Sequence, residues 1–113
     1  MSSHNILIVD DEIQNREYLA EILSEEDYNV TSAVDGKDAI SKLSQDVFHV
    51  VLTDLQMPEL DGLGVIHYLV ENKLNCIGII YTGYASVKTA VDAMRMGAFD
   101  YITKPFKADE IKI

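Results

Sequence analysis

The sequence predicts an α/β protein, with a doubly wound sheet of five parallel strands and helices on both faces. Short apolar runs alternate with stretches of helical periodicity along the chain, and strands that alternate with helices form right-handed βαβ units in a parallel sheet. The chain has 113 residues, 48% of them hydrophobic and 25% charged, which is typical of one compact globular domain. We therefore predict a single domain over residues 1–113.

Five apolar runs have the length of β-strands. In chain order they are NILIV (5–9), YNVTSA (28–33), VFHVVLT (47–53), CIGIIYT (76–82) and AFDYIT (98–103). The first and third runs are typical of strands buried on both faces, whereas the second is a weaker, β-branched run. The simplest order for five such strands is the flavodoxin-like 2-1-3-4-5.

Helical periodicity fills the intervals between these runs. The residues that mark it are Leu19, Ile22 and Leu23 between Ile13 and about Glu25; Gly36, Ala39, Ile40 and Leu43; Val65, Ile66 and Leu69 between about Leu63 and Glu71; and Val87, Ala90, Val91 and Met94. Asp61 is the expected cap of the third helix, and Gly97 is expected to end the fourth. A last helix is predicted after Pro105.

The composition narrows the classes of function. Nineteen acidic and nine basic residues give a net charge of −10, which argues against nucleic acid as a partner because a phosphate backbone needs a basic surface. Cys76 is the only cysteine, so we expect a small buried side chain and a reducing, cytoplasmic location. No apolar run is long enough for a membrane span, and no signal peptide is evident.

Polar residues follow four of the predicted strands. Asp10 and Asp11 follow the first strand and Asp54 the third, while Thr82 ends the fourth and Lys104 follows the fifth. Ligands of doubly wound sheets bind beyond the carboxyl ends of the strands, at the switch point, here between strands one and three. We therefore expect three carboxylates, a hydroxyl and an amine to converge there.

A purely structural explanation covers only part of this set. Asp11 could be the N-cap of the first helix, with Gln14 completing a pattern like a capping box. That alternative does not explain Asp10 and explains Asp54 poorly, because residues 55–57 precede a proline. Asp61 is the better cap for the third helix.

The expected chemistry is that of a metal-assisted phosphoryl acceptor. Three clustered carboxylates repel one another, so a pKa should rise or a cation should bind. An acidic, all-oxygen site suits Mg²⁺, whereas His4, His49 and His67 are scattered and form no zinc motif. A carboxylate beside Mg²⁺ and a lysine is a plausible nucleophile for phosphoryl transfer.

At these residues the sequence resembles a bacterial response-regulator receiver domain. The segments that carry the resemblance are VDDE (9–12), TDLQMPELDG (53–62), YTGYAS (81–86) and GAFDYITKPF (97–106). The last two segments are most like those of receivers of nitrogen-regulation-type transcriptional activators. KADEIKI is only the start of the family's last helix, so we expect that helix to be truncated and an output domain to be absent from this chain.

The resemblance implies a role for each site residue. Asp54 would accept a phosphoryl group from a histidine of a sensor kinase. Asp11, Asp54 and the backbone carbonyl of Gln56 would bind Mg²⁺ directly, and Asp10 through water. Lys104 would pair first with Asp54 and then with the phosphate.

The resemblance also implies a switch. Thr82 would move to bond a phosphoryl oxygen, Tyr101 would swing inward behind it, and Gly83 would leave room beside the phosphate. The Lys104–Pro105 peptide is expected to be cis. We expect helix four, strand five and helix five to form the surface that changes, with partner binding or phosphorylation-dependent dimerisation there.

Three other classes share parts of this pattern. A flavodoxin-like cofactor binder would need a phosphate loop where the chain has DDEIQN, and GLGVIH lacks the third glycine of a dinucleotide fingerprint. A Mg²⁺-dependent phosphohydrolase with an aspartyl nucleophile would place a second acid where Gln56 stands. A degenerate receiver, acting only as a binding module, would not be expected to keep the acidic pair, Asp54, Thr82 and Lys104 together. We expect a stoichiometric switch that catalyses its own phosphotransfer and dephosphorylation rather than a turnover enzyme.

Overall fold

Five strands and four helices alternate in the computed structural model, which describes residues 4–83 and 85–104. Their bounds are β1 Asn5–Val9, α1 Ile13–Ser24, β2 Asn29–Ala33, α2 Gly36–Gln45, β3 Val50–Asp54, α3 Gly62–Glu71, β4 Ile77–Thr82, α4 Val87–Met96 and β5 Asp100–Thr103. These are the predicted elements in the predicted order. The predicted last helix and the Lys104–Pro105 peptide lie outside the described residues.

The strands form one parallel sheet in the order β2-β1-β3-β4-β5. This confirms the predicted topology. The register sets Val9 beside Thr53, Asp54 beside Tyr81, and Thr82 beside Thr103. The carboxyl ends of the four strands that carry candidate site residues therefore lie along one edge of the sheet.

Helices cover both faces of this sheet, because alternate residues of each buried strand point to opposite sides. On one face α1 packs Leu19 and Leu23 against the sheet. On the other face α2, α3 and α4 contribute to a second cluster, with α4 represented by Ala93. All five residues of β3 are buried, so the strand that ends at Asp54 is held from both sides.

The helix caps agree with the sequence in two places and differ in one. The Asp61 carboxylate accepts the N–H of Gly64 at 3.0 Å and caps α3. Gly97 ends α4 with φ 115°, a left-handed conformation that favours glycine. Asp11 is not the N-cap of α1, because Glu12 holds that position before Ile13, the first residue of the helix.

Several strand starts and one helix face also differ from expectation. β3 begins at Val50 rather than at Val47, which is 74% exposed. The apolar repeat of α4 correctly predicts a helix, but Val87 is 82% exposed and Met94 49% exposed, while Ala93 packs inward. Cys76 is half-buried rather than fully buried, and burial raises the pKa of its thiol to about 11.

Candidate functional site

Three polar side chains that the sequence singled out are buried at the ends of adjacent strands. Asp10 follows β1, Asp54 ends β3 with 6% exposure, and Thr82 ends β4. A charged group is costly to bury without partners. The partners of the Asp10 and Asp54 carboxylates therefore indicate which chemistry the site can support.

Lys104 joins the two buried carboxylates. Its ammonium nitrogen lies 3.4 Å from Asp54 Oδ2 and 3.5 Å from Asp10 Oδ2. Its backbone N–H donates to the carbonyl of Thr82 at 2.8 Å, continuing the β4–β5 ladder. The lysine is thus carried to the site by β5 and shared between the two acids.

Asp10 has further donors on both of its oxygens. The N–H of Glu12 donates to Oδ1 at 2.9 Å, and the hydroxyl of Tyr81 donates to Oδ2 at 2.9 Å. The Arg16 guanidinium donates to the backbone carbonyl of Asp10 at 2.7 Å. Burial and the negative charge of Asp10 raise the pKa of the Tyr81 hydroxyl well above its ordinary value, so that hydroxyl stays protonated.

Opposing electrostatic effects act on the pKa of Asp54. Burial raises the pKa of its carboxyl, and the negative charge of Asp10 raises it further, while the Lys104 ammonium and the Gln56 N–H act to lower it. The net direction is upward, because burial penalises the charged form most and the negative charge of Asp10 adds repulsion. A cation beside Asp54 would relieve this repulsion.

An open cleft of about 510 Å³ lies beside these residues. Its lining consists of Asp11, Glu12, Asn15, Asp54, Gln56, Gly83 and Lys104. Carboxylate oxygens of Asp10, Asp11 and Glu12 lie within 4.8 Å of one another. The oxygen-rich donor set fits Mg²⁺, which prefers oxygen ligands and keeps several of its waters.

The clustered carboxylates include one residue, Glu12, that was not predicted as a metal ligand. Asp10 and Asp11 were expected, and Asp54 and Gln56 line the same cleft as Asp11. Glu12 was not proposed from the sequence, although it is the third of three consecutive acids and only its side-chain direction brings it to the cleft. Its exposed carboxylate adds to the acidity of the cleft mouth.

The predicted switch residue Tyr101 is half-buried on β5, and its hydroxyl lies 2.6 Å from Thr89 Oγ1. Thr89 also forms a reciprocal capping box with Ser86 at the start of α4. The Tyr101 side chain is therefore tied to the first turn of α4. The sequence did not single out Thr89, because a threonine near a helix start is ordinary.

Tyr81 is the main site contact that the sequence missed. It lies within the apolar run of β4 and precedes Thr82, so it reads as a core residue. It is indeed fully buried. Tyr81 lies beside Asp54 in the register of β3 and β4, which the sequence alone does not give.

Fold and site together define a doubly wound α/β protein with an acidic, metal-compatible cleft at the switch point of its sheet. The family model of the response regulator receiver domain matches residues 6–113. The chain belongs to that family, whose members are signalling switches that typically bind Mg²⁺ at an acidic cluster.

Similar proteins include a response regulator and a regulatory protein, each longer than this chain. The chain is 38% identical over 115 residues to a putative NtrX-like response regulator of Rickettsia bellii, and 37% identical over 110 residues to the regulatory protein AtoC of Escherichia coli. The alignments cover 100% and 97% of this chain but 24% of each relative. The chain thus spans about a quarter of the length of these relatives.

A solved structure gives the same fold. A response regulator protein from Burkholderia pseudomallei, determined with a phosphorylated aspartic acid, a calcium ion and citrate, superposes with a TM-score of 0.90 at 30% identity. The match covers 96% of this chain and 64% of that one. Among the described residues of the present chain, no helix has the length and apolarity to cross a membrane.

Proposed function

We propose that this receiver domain is switched by phosphorylation of Asp54, with a histidine of a sensor kinase as the phosphodonor and Mg²⁺ as the cofactor. The observation that carries the proposal is the position of Asp54. Its carboxylate stands at the end of a fully buried strand, 3.4 Å from the Lys104 ammonium, and lines an open acidic cleft. A carboxylate that is fixed, accessible and flanked by a cation is suited to nucleophilic attack on phosphorus.

The proposed phosphoryl transfer replaces a P–N bond of the donor with a P–O bond to Asp54. A carboxylate oxygen of Asp54 attacks the phosphorus, a P–O bond forms, and the P–N bond to the donor histidine breaks with its electron pair left on the imidazole nitrogen. Lys104 then moves its ammonium from the carboxylate to a phosphoryl oxygen, and the Thr82 hydroxyl donates to another. Dephosphorylation occurs when water attacks the phosphorus and the P–O bond to Asp54 breaks, which releases inorganic phosphate and restores the carboxylate.

Asp11, Asp54 and the backbone carbonyl of Gln56 would hold Mg²⁺, and Asp10 would reach it through water. When bound, the ion supplies positive charge that offsets the phosphoryl oxygens and the carboxylates. The Burkholderia pseudomallei relative was determined with a phosphorylated aspartic acid and a calcium ion, which supports an aspartate acceptor and a divalent cation here. The fit of the oxygen donors around the cleft is independent support.

The proposed output surface is α4, β5 and the helix predicted after Pro105. Tyr101 is positioned to couple it to the site, because its hydroxyl now bonds Thr89 on α4 and would leave that bond on swinging toward Thr82. The exposed Val87, Val91 and Met94 of α4 give this surface an apolar stripe. We propose that phosphorylation promotes association there, with a second copy or with an output domain that controls transcription, in the cytoplasm.

The test is phosphorylation with a small donor. Incubation with Mg²⁺ and acetyl phosphate should add one phosphoryl group to the intact mass, in a bond labile to hydroxylamine. Asp54→Asn, which keeps the size of the side chain, should abolish the gain, and chelation of Mg²⁺ should do the same. Sedimentation of the phosphorylated sample should show association that Val91→Lys weakens.

Two results would contradict the proposal. A folded wild-type protein that gains no phosphoryl group would show that Asp54 is not an acceptor. Continuous release of phosphate over many turnovers, with no accumulated phosphoprotein, would favour the alternative of a Mg²⁺-dependent phosphohydrolase.

A further inference from the structure

Tyr81 places a hydroxyl deep inside the site. Its side chain is fully buried among the residues that pack beneath α1, including Ile8 and Leu52. The hydroxyl lies 2.9 Å from Asp10 Oδ2 and 3.3 Å from the carbonyl oxygen of Val9. Because a phenol has one hydrogen, the shorter contact to the carboxylate is the principal hydrogen bond.

This contact fixes Asp10 from two directions. Oδ1 accepts the N–H of Glu12, and Oδ2 accepts the Tyr81 hydroxyl, both at 2.9 Å. A carboxylate held on both oxygens cannot rotate without losing a charge-assisted hydrogen bond in a buried setting. Asp10 is thereby kept behind the cleft, whereas Asp11 and Asp54 line it.

The same residue also supports Lys104. The ammonium nitrogen lies 4.9 Å from the centroid of the Tyr81 ring, within range of a cation–π contact. That nitrogen and the Tyr81 hydroxyl share Asp10 Oδ2, but the hydroxyl is closer, at 2.9 Å against 3.5 Å. Asp10 Oδ2 is therefore shared between the Tyr81 hydroxyl and the Lys104 ammonium, which also lies 3.4 Å from Asp54 Oδ2.

We propose that Tyr81 is a positioning residue for phosphotransfer: its hydroxyl fixes the Asp10 carboxylate, and by competing with Lys104 for Asp10 Oδ2 it limits the attraction of Asp10 for the Lys104 ammonium, which also contacts Asp54. This inference rests on the proposed function of Asp54. Without the hydroxyl, Asp10 Oδ2 would attract Lys104 more strongly. The lysine would then be drawn away from the oxygens on which charge changes during transfer.

The experiment compares Tyr81→Phe with Tyr68→Phe. Both variants remove one phenol oxygen and keep the ring, but Tyr68 is a half-buried residue of α3 that packs away from the site. Tyr81→Phe should lower the phosphorylation rate at saturating Mg²⁺ and acetyl phosphate about tenfold, as expected for loss of an outer hydrogen bond that orients a site. The acetyl phosphate concentration for half-maximal rate should stay unchanged, and Tyr68→Phe should match the wild type.

A second readout needs neither metal nor phosphodonor. The amide proton of Glu12 reports the orientation of Asp10, because it donates to Oδ1. In metal-free protein its NMR resonance should move in Tyr81→Phe and not in Tyr68→Phe. An unmoved resonance together with a wild-type rate would overturn the inference.

The wild-type protein provides a check that does not depend on how a variant folds. A buried, hydrogen-bonded hydroxyl exchanges slowly with water, so the Tyr81 hydroxyl proton should be visible by NMR with a contact to the Lys104 side chain. Its absence under conditions where buried amides persist would overturn the inference. If the Glu12 resonance moves as expected but even the wild type gains no phosphoryl group, the proposed function fails while the positioning of Asp10 by Tyr81 stands.

Discussion

Asp38 shows how the partners of one side chain determine its response to pH. Its carboxylate accepts the N–H of Val34 and the ammonium of Lys42, both at 3.0 Å. Burial alone would raise the pKa of Asp38, but the hydrogen bond and the ammonium outweigh it, so the pKa lies below the ordinary value of 3.8. A depressed carboxyl pKa stabilises the folded state only while the group is ionised.

Asp38→Ala should therefore lower the free energy of unfolding at neutral pH, by about 1 kcal/mol for the lost hydrogen bonds. The stabilising contribution is fully present above the ordinary pKa of 3.8 and is lost as pH falls through the lower folded pKa. Urea unfolding across this pH range measures it. Asp46→Ala, at the exposed end of α2, is the control and should cost less stability at neutral pH than Asp38→Ala. A deficit of Asp38→Ala that stays constant into acid would contradict the assignment.

At the scale of elements, the first turn of α3 is pressed against the end of β3. The N–H of Gly62 donates to the carbonyl of Leu55 at 2.9 Å. A Cβ at Gly62 would overlap the backbone carbonyl oxygen of Asp54. A side chain at this position would therefore have to displace the backbone at Asp54 and Leu55.

We therefore expect Gly62→Ala to lower the free energy of unfolding by about 2 kcal/mol, the usual cost of overpacking. Gly64→Ala, in the same helix, is the matched control. The three heavy atoms nearest to its Cβ would belong to side chains, two of Leu60 at 2.5 and 2.8 Å and one of Asp61 at 3.7 Å, and alanine gains about 1 kcal/mol of helix propensity. Chemical denaturation compares the two variants, and equal losses would show that the Asp54 carbonyl is not the obstacle.

The alternation of strands and helices and the sheet order could be predicted from the sequence, because buried parallel strands leave continuous apolar runs. The proximity of Asp10, Asp54 and Lys104 could be predicted from the topology, because the carboxyl ends of parallel strands lie along one edge of the sheet. The hydrogen-bond partners of these site residues could not be predicted. The Tyr81–Asp10 bond joins residues 71 positions apart and depends on side-chain direction. The exposure of Val87 and Met94 on α4 was not predicted, because an apolar repeat does not show whether that helix face packs against the sheet or lies in solvent.

At the scale of the whole molecule, charge opposes compaction. The 113 residues carry a net charge of −10, and the longest extent of the described structure is 39 Å. The Debye length is about 30 Å at ~0.01 M salt and about 8 Å at ~0.15 M. At low salt most of the acidic side chains therefore repel one another, whereas at ~0.15 M only near neighbours do.

Raising sodium chloride over that range should raise the midpoint of thermal unfolding by a few degrees. Calorimetry or circular dichroism measures it. Tetramethylammonium chloride, whose cation is too bulky to be bound closely by carboxylates, should give the same rise. A rise seen only with sodium would assign the effect to the acidic cleft instead of to overall repulsion, and a falling midpoint would contradict both.

Asp10 and Lys104 meet in the site although 94 residues separate them along the chain. A ribosome adding about 5–20 residues per second makes the lysine about 5–20 s after the aspartate. During that interval the nascent chain can already contain Asp54 but not the ammonium that completes its surroundings. A growing polypeptide thus cannot bring Asp10, Asp54 and the Lys104 ammonium together before Lys104, which follows β5, has been synthesised.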